Sequence, residues 1–475
     1  MDPLDLVSKV IVKVTKNYGK KIAKEKTAPE IPEAKPVKFS GEGYKLGFSM
    51  ADINPENFGE KTLYIAGHGS GHVMTGQISD VFASAVWLGT SDTDGIIWIS
   101  ADIVGLTKIE GDIVREKIKN GGVVPANTNI IISATHSHSG IDTIGYWGKP
   151  FASIPSDGKD PEYMAKLLSV MASVAEKAYL TRKSGKLYYG FAEIKDGLRT
   201  GRQFNDRREK VYRFRFAPND GSNDTWIVNF GGHPNSLGGD NRMLSGEYVY
   251  FLREKVNAAN ANLLYGIGPI GGMDMKMFDE ENRVHCVTEQ GHMLYDGLAG
   301  ISNEEELAPE MSVTVQDFYL PVDNNVLALL AIIHTMSFDP YPNSDSELGI
   351  AMKTRMVYMT LGNKKILTLP GENFVNTVVG SYDDAEHSTT GKPAEINPEP
   401  LCDICGDENL VVFGVTNDMT GYVVPPNDFV LNPTQPFLNG THDRFDHNHY
   451  HETNSMGINT QKVIADTFKK VIANQ

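Results

Sequence analysis

The sequence predicts an α/β protein, with mixed β-sheets flanked by helices, and three observations carry that expectation. Gly95-Ile-Ile-Trp-Ile-Ser-Ala-Asp102 and Ile130-Ile-Ile-Ser-Ala-Thr-His136 are apolar runs rich in β-branched residues, the composition of buried strands. Between them Thr107 to Ile118 carries a helical pattern, so the three form one β-α-β unit and a parallel or mixed sheet. Residues 160–181 then place Tyr163, Leu167, Met171, Val174 and Ala178 on one helical stripe, a face fit for core rather than for a site.

At 475 residues there is room for one large domain or two medium ones, and 40% hydrophobic with 22% charged residues is a globular composition. A net charge of −16 argues against a general nucleic-acid binder, because phosphate backbones demand a basic face. Three cysteines, Cys286, Cys402 and Cys405, make no disulfide framework. Cys402 and Cys405 stand in a Pro- and acid-rich stretch, which predicts a flexible loop ahead of a zinc knuckle or redox pair. No run reaches transmembrane length, and the N-terminus lacks a basic segment followed by an apolar one, so a cytoplasmic protein is the expectation.

In chain order, residues 1–38 form a basic amphipathic tail with a Pro-rich linker. Leu4, Val7, Ile11, Val14, Tyr18 and Ile22 fall at helical spacing, and Lys9, Lys13, Lys16, Lys20 and Lys24 follow another stripe. Nine lysines against Asp2, Asp5, Glu25, Glu30 and Glu33 give the tail +4 and leave the body at −20. Pro29, Pro32 and Pro36 make the linker stiff. Two readings stand for the tail. One is peripheral contact with an anionic membrane surface; the other is docking on its own acidic body, or partial disorder. One domain is expected from 39 to 475. Within it, Gly47-Phe-Ser-Met-Ala-Asp-Ile-Asn-Pro55 reads as a short strand breaking at Asn-Pro. Ile65-Ala-Gly-His-Gly-Ser-Gly-His72 is a glycine-rich loop without the order of a phosphate cradle. It suits the lining of a cleft, with His72 read as a surface residue.

His136 and His138 stand at the mouth of a buried strand, where open α/β sheets present their ligands. Four further strand-like runs end in polar residues of catalytic type: 225–232 leads to His233, 262–268 to Asp274, 365–371 to Glu372, and 410–418 to Tyr422. Five such endings can converge on one cleft. His136, His233 and Glu372 are two neutral nitrogens and a carboxylate, the ligand set of many catalytic zinc sites. Zinc lowers the pKa of bound water and polarises a carbonyl, which suits hydrolysis of amides or esters. His138 fits hydrogen bonding to a developing oxyanion or a proton shuttle.

The ordered set Asp52-Ile-Asn-Pro, Ser100-Ala-Asp-Ile, Ala134-Thr-His-Ser-His-Ser-Gly, His233-Pro-Asn-Ser, Ser245-Gly-Glu, Pro370-Gly-Glu and Asn417-Asp-Met-Thr-Gly-Tyr resembles the neutral/alkaline (non-lysosomal) ceramidase family over about residues 45–460. Those proteins are zinc-dependent amidases that cleave the N-acyl bond of ceramide. The resemblance implies a neutral-ceramidase-like catalytic domain, here without the family's C-terminal β-sandwich domain. It implies zinc ligation by His136, His233, Glu372 and Tyr422, with Met419 at the first of two family tyrosine positions and Tyr422 at the second. It makes His138 the other active-site histidine, and Arg199 or Arg202 the arginine at the reacting region.

One departure bears on mechanism. Gly271-Gly-Met-Asp-Met-Lys276 places Asp274 where the family carries its active-site serine. A carboxylate there fits a general base, a ligand of a second metal, or lost activity. The implied function is therefore zinc-dependent hydrolysis of an N-acyl amide bond, in a lipid or small-molecule substrate, by attack of zinc-activated water. The alternatives are a zinc hydrolase of an ester or small soluble amide, and a non-catalytic metal- or ligand-binding homologue. Asp443 to Glu452, with three alternating histidines, is read as a rim or lid of the cleft, against an exposed polar loop or a second metal site.

Overall fold

A computed structural model describes residues 3–56, 58–150, 154–202, 204–302, 304–382 and 384–475. The first two residues of the tail lie outside them. Among the described residues seven helices of eight residues or more frame the sheets: α1 (Pro3–Glu25), α2 (Lys108–Gly121), α3 (Pro161–Leu180), α4 (Glu247–Ala258), α5 (Arg283–Ala299), α6 (Asn325–Ile332) and α7 (Thr460–Ala473).

Among the described residues the larger sheet has nine strands. Its main path runs Ala261–Ile267, Asp224–Phe230, Lys210–Pro218, Lys183–Glu193, Tyr44–Asp52, Phe82–Gly89, Gly95–Ala101, Asn129–Ala134. Its centre is antiparallel, and each end is a parallel pair. Parallel neighbours need a crossover, and α2 and α4 supply the two. The expected β-α-β unit is thus one of a pair, at opposite ends of one sheet. The sheet curls so that these ends meet: Ser100 donates from its hydroxyl to the Tyr265 carbonyl at 2.5 Å. Curling brings together the two sets of strand termini that carry His136 and His233.

Among the described residues a second sheet of six strands packs against the first. Its main path is Val37–Ser40, Glu310–Pro321, Ile350–Leu361, Lys364–Thr368 and Val411–Phe413. The last two strands are again parallel. Phe413 seats the sheets on one another, its ring 4.5 Å from Trp98 and against Gly266, where a Cβ would fall 2.5 Å from that ring. The Asn229 amide donates to the Val412 carbonyl at 3.1 Å across the same seam. Mixed sheets flanked by helices is the architecture expected.

The long strands Lys183–Glu193, Lys210–Pro218, Glu310–Pro321 and Ile350–Leu361 escaped the sequence reading. Glu310–Pro321 alternates buried with partly exposed positions and Lys183–Glu193 does so in part, whereas Lys210–Pro218 and Ile350–Leu361 are mostly buried; none ends in a conspicuous residue, so antiparallel pairing reveals them. The flexible loop expected around Cys402 and Cys405 is corrected. Leu401–Cys405 is a short helix, and both thiols are buried in the second apolar core with Leu410 and Val412. Burial of Leu401, Cys402 and Cys405 orders that stretch despite its polar neighbours.

The α3 stripe is buried as predicted, and Asp160 caps the helix by accepting from the Tyr163 N–H at 2.8 Å. In the tail, Ser8, Ile11, Thr15, Gly19 and Ile22 make the buried face of α1, which lies on α6 and the strand Ile350–Leu361. Gly19 sets that crossing, because a Cβ there would lie 1.8 Å from the Leu348 carbonyl oxygen. Gly19→Val should therefore lift α1, costing about 1–3 kcal/mol in a melting experiment and exposing residues 26–36 to limited proteolysis. Unchanged melting and cleavage would show that the contact does not hold the helix.

Candidate metal centre

The strand Asn129–Ala134 ends where the Thr135 N–H donates to the Ala101 carbonyl at 2.9 Å. His136 then takes a left-handed backbone, φ 64°, a conformation that costs a residue with a Cβ and recurs at functional sites. The turn sets its Nδ1 2.7 Å from the Val104 carbonyl. His233 leaves its strand through Gly231-Gly232 and sets Nδ1 3.1 Å from the Met273 carbonyl. A carbonyl only accepts, so each Nδ1 carries the proton and each Nε2 keeps a lone pair.

Those two lone pairs meet a third acceptor. Glu372 Oε2 lies 3.2 Å from His136 Nε2 and 3.1 Å from His233 Nε2. Three acceptor atoms at such distances repel unless positive charge lies among them. A proton on a ring relieves one contact; a dication relieves all of them. The residues Glu372–Asn373 pair in parallel with Tyr422–Val423, which puts Tyr422 beside Glu372, bonded to it through the phenol. The donor set of two imidazoles, a carboxylate and a phenol, all buried, fits a metal ion.

The electrostatics follow from this packing. Burial alone would raise the Glu372 carboxyl, but the charges and hydrogen bonds of His136 and His233 hold it well below the usual carboxylate range. Burial opposes protonation of His233, and the bond and charge of Glu372 reverse that and raise it. Burial, then the charge of Glu372, pushes the Tyr422 phenol well above its ordinary value. His138 is driven far down by burial and by His136, His68 and His233 around it.

His138 Nε2 approaches His136 Nε2 at 3.1 Å. His136, His138 and His233 form a buried group whose ring nitrogens lie within 4.8 Å of one another, compact enough to hold a metal ion. His138 differs from the other two in one respect: its Nδ1 is buried without a partner. Ligating histidines ordinarily donate from the second nitrogen to an acceptor that fixes the ring. His136 and His233 have such an acceptor and His138 does not.

Asp274 sits on the short strand Met273–Met275, opposite Arg199 and bridged to His233. Its Oδ1 accepts from the Asn235 amide at 2.9 Å, and Arg199 Nε is 3.8 Å from Oδ2. The Arg199 side chain is half exposed beside it. Arg202, the other candidate for the reacting region, stands behind the cavity wall, where it bonds the wall residue His451. Its buried guanidinium is taken up by Asp428 and Glu452, each at 3.1 Å, and by His449 and His451. The segment 443–452 forms part of the cavity wall, as its reading as a rim expects. His449 and His451 are buried, and Asn448, Tyr450 and His451 line the cavity at the centre.

That cavity holds about 550 Å³, and the four candidate ligands, His138 and Asp274 all face it. His68, His136, His138, His233, Asp274 and Glu372 make one side of it, and Ile144, Trp147, Leu327, Met336 and Met456 an apolar side. The glycine-rich loop lines it as expected. Gly67 (φ 101°) presses on His138, where a Cβ would be 2.4 Å from the ring, and this close approach sets His68 edge-on to His138 at 5.0 Å. Burial, then the nearby His233 and His72, lowers His68 to about 4. The Trp147 indole N–H holds the His68 carbonyl at 2.7 Å.

A residue that stands in the Ser245-Gly-Glu segment, and to which the sequence reading gave no role, ties the ligand loops together. Glu247, fully buried, accepts from the Ser139 hydroxyl at 2.7 Å and the Leu237 N–H at 3.3 Å. It thus links the segment after His138 to the segment after His233. Its only signal in the sequence is an acid following Ser245-Gly, which distance along the chain does not connect to either histidine.

Glu247→Ala should leave those donors unsatisfied and weaken metal retention about 10–100-fold in competition with a chelator, while Glu247→Gln retains it. Equal retention in all three proteins would remove the linking role. Burial pushes the Glu247 carboxyl up to about 7. Its folded value thus exceeds its unfolded one, and its contribution to stability falls as pH rises from about 4.5 through 7. In metal-free protein Glu247→Gln should flatten that fall by on the order of 3 kcal/mol, read from melting curves across this window.

No protein-family model matches this chain, and no curated protein matches it in sequence. Solved structures do match in fold. The crystal structure of neutral ceramidase from Pseudomonas aeruginosa superposes with a TM-score of 0.62 at 14% identity, covering 91% of this chain and 75% of that one. A ceramidase complexed with C2 superposes with a TM-score of 0.63 at 14% identity, covering 90% and 75%. With its mixed sheets, flanking helices and crossed strand ends, the chain has the neutral ceramidase fold.

Proposed function

We propose that this protein is a zinc-dependent hydrolase of N-acyl amide bonds, acting on a ceramide-like or other acyl-amide substrate. The observation that carries the reading is the meeting of two imidazole lone pairs with one carboxylate oxygen, at 3.1 and 3.2 Å, with both rings oriented by backbone carbonyls. In this reading His136, His233, Glu372 and Tyr422 hold the ion, and Asp274 occupies the place of the family's active-site serine. Zinc so held would make a water nucleophilic near neutral pH and polarise the scissile carbonyl.

The chain's own residues supply the rest. Asp274 takes the proton from water and returns it to the departing amine, with Asn235 fixing one of its oxygens so that the other is free to act. His138, lacking the acceptor a ligand would have, donates to the developing oxyanion from the ring edge beside His136, and Arg199 adds positive charge next to Asp274. The apolar side of the cavity, Ile144, Trp147, Leu327, Met336 and Met456, takes the acyl chain and keeps water from the centre.

Elemental analysis of purified protein, paired with an N-acyl amide panel before and after chelation, tests the reading. Zinc near one equivalent, turnover lost on chelation and restored by zinc is the expected result. A zinc-loaded protein that hydrolyses no member of the panel would leave a non-catalytic homologue. His136→Ala should lose the metal, whereas His138→Ala should keep it and lose about 100–1,000-fold in kcat. Metal loss in both would make His138 a ligand instead. Lengthening the acyl chain should raise kcat/KM up to about four-fold per methylene until the apolar side is filled. No dependence on chain length would assign that side another occupant.

A further inference from the structure

The tail helix carries features that its docking does not use. α1 buries Ser8, Ile11, Thr15, Gly19 and Ile22 against the body. On its other side Leu6, Val10 and Val14 are 59%, 52% and 41% exposed. They stand four residues apart and form one ridge along the outer face. Lys9, Lys13, Lys16, Lys20 and Lys24 are exposed beside that ridge and, among the described residues, make no salt bridge. An apolar ridge bordered by unpaired lysines matches a surface that is apolar at depth and anionic at its rim.

The charge of the rest of the chain sharpens the match. The body at −20 is repelled by an anionic surface, so attraction must come from a local patch. Screening confines such attraction to about 8 Å at physiological salt, the scale of one helix. No helix among the described residues is long and apolar enough to cross a membrane, so contact would be peripheral. The helix is also well placed. It lies on α6, and α6 contributes Leu327 to the cavity wall.

We propose that the outer face of α1 docks this protein on anionic lipid bilayers, one helix away from the cavity. Such docking is independent of whether the centre hydrolyses amides. Full-length protein should co-sediment with phosphatidylcholine vesicles doped with phosphatidylserine at about 0.05 M salt, and much less with pure phosphatidylcholine or at about 0.5 M salt. The triple variant Lys9→Glu, Lys13→Glu, Lys16→Glu should lower the partition coefficient about 100-fold or more with unchanged melting, since these side chains are exposed. Leu6→Ser with Val10→Ser and Val14→Ser should weaken it while keeping the salt dependence. Equal sedimentation of wild type and lysine variant would overturn the proposal. So would indifference to vesicles together with retention on double-stranded DNA that the lysine variant loses, which would make the face a nucleic-acid contact.

Discussion

Everything at the centre depends on a shared carboxylate oxygen. Glu372 Oε2 faces two imidazole nitrogens whose protons are committed to the other side of each ring. Such a cluster of lone pairs is repulsive on its own in a buried place, and it persists because packed backbone on every side holds it. The fold thus holds a place that favours positive charge, whether a second proton on His233 or a cation among the three groups. Tyr422, with its phenol pushed well above its ordinary value by burial and by Glu372, completes the enclosure as a donor to Glu372.

The backbone holds this arrangement by unusual local conformations next to ordinary strands. His136, Glu247, Val415 and Asn417 all adopt left-handed backbone with φ between 47° and 64°. For Val415, β-branched, that is a severe departure. Each lies just beyond a strand end or at a helix start, where the chain must leave the sheet and re-aim a side chain. Asn417 is held in its conformation by accepting from Arg115 at 2.6 Å and from the Ile132 N–H at 3.2 Å, which pins one sheet's loop to the other sheet's strand. Curling of the nine-stranded sheet closes the frame, so two crossover units distant along its strand order end on one cavity.

The wall opposite is built on charge. Arg202 is buried among Asp428, Glu452, His449 and His451, and this cluster fixes the segment that places Tyr450 and His451 against Tyr422. Burying a guanidinium is tolerable only where its charge is met, and two carboxylates and two histidines meet it at Nη1 and Nη2, while Nε stays buried without a partner. The family resemblance allows such an arginine at the reacting region; here its charge is already neutralised by partners that orient the wall. Arg199, three residues earlier, keeps the exposure that Arg202 lacks.

Much of this was legible in the residues themselves. Period and composition marked the buried strands, the α3 core stripe and the crossover through α2, because one-face burial writes itself into local spacing. Each polar group placed after a strand, from His136 and His233 to Asp274, Glu372 and Tyr422, was visible too, since a polar side chain after an apolar run has few structural uses. The hairpin strands, the order of Cys402 and Cys405, the difference between Arg199 and Arg202, and the link through Glu247 were not. Those are decided by partners hundreds of residues away or by hydrogen bonds across a curled sheet, and no local pattern encodes which neighbour a buried charge will meet. Sequence alone determined which chemical groups stand at the strand ends; tertiary structure alone decided that they share one oxygen, because only closure of the sheet brings their lone pairs within reach of a common charge.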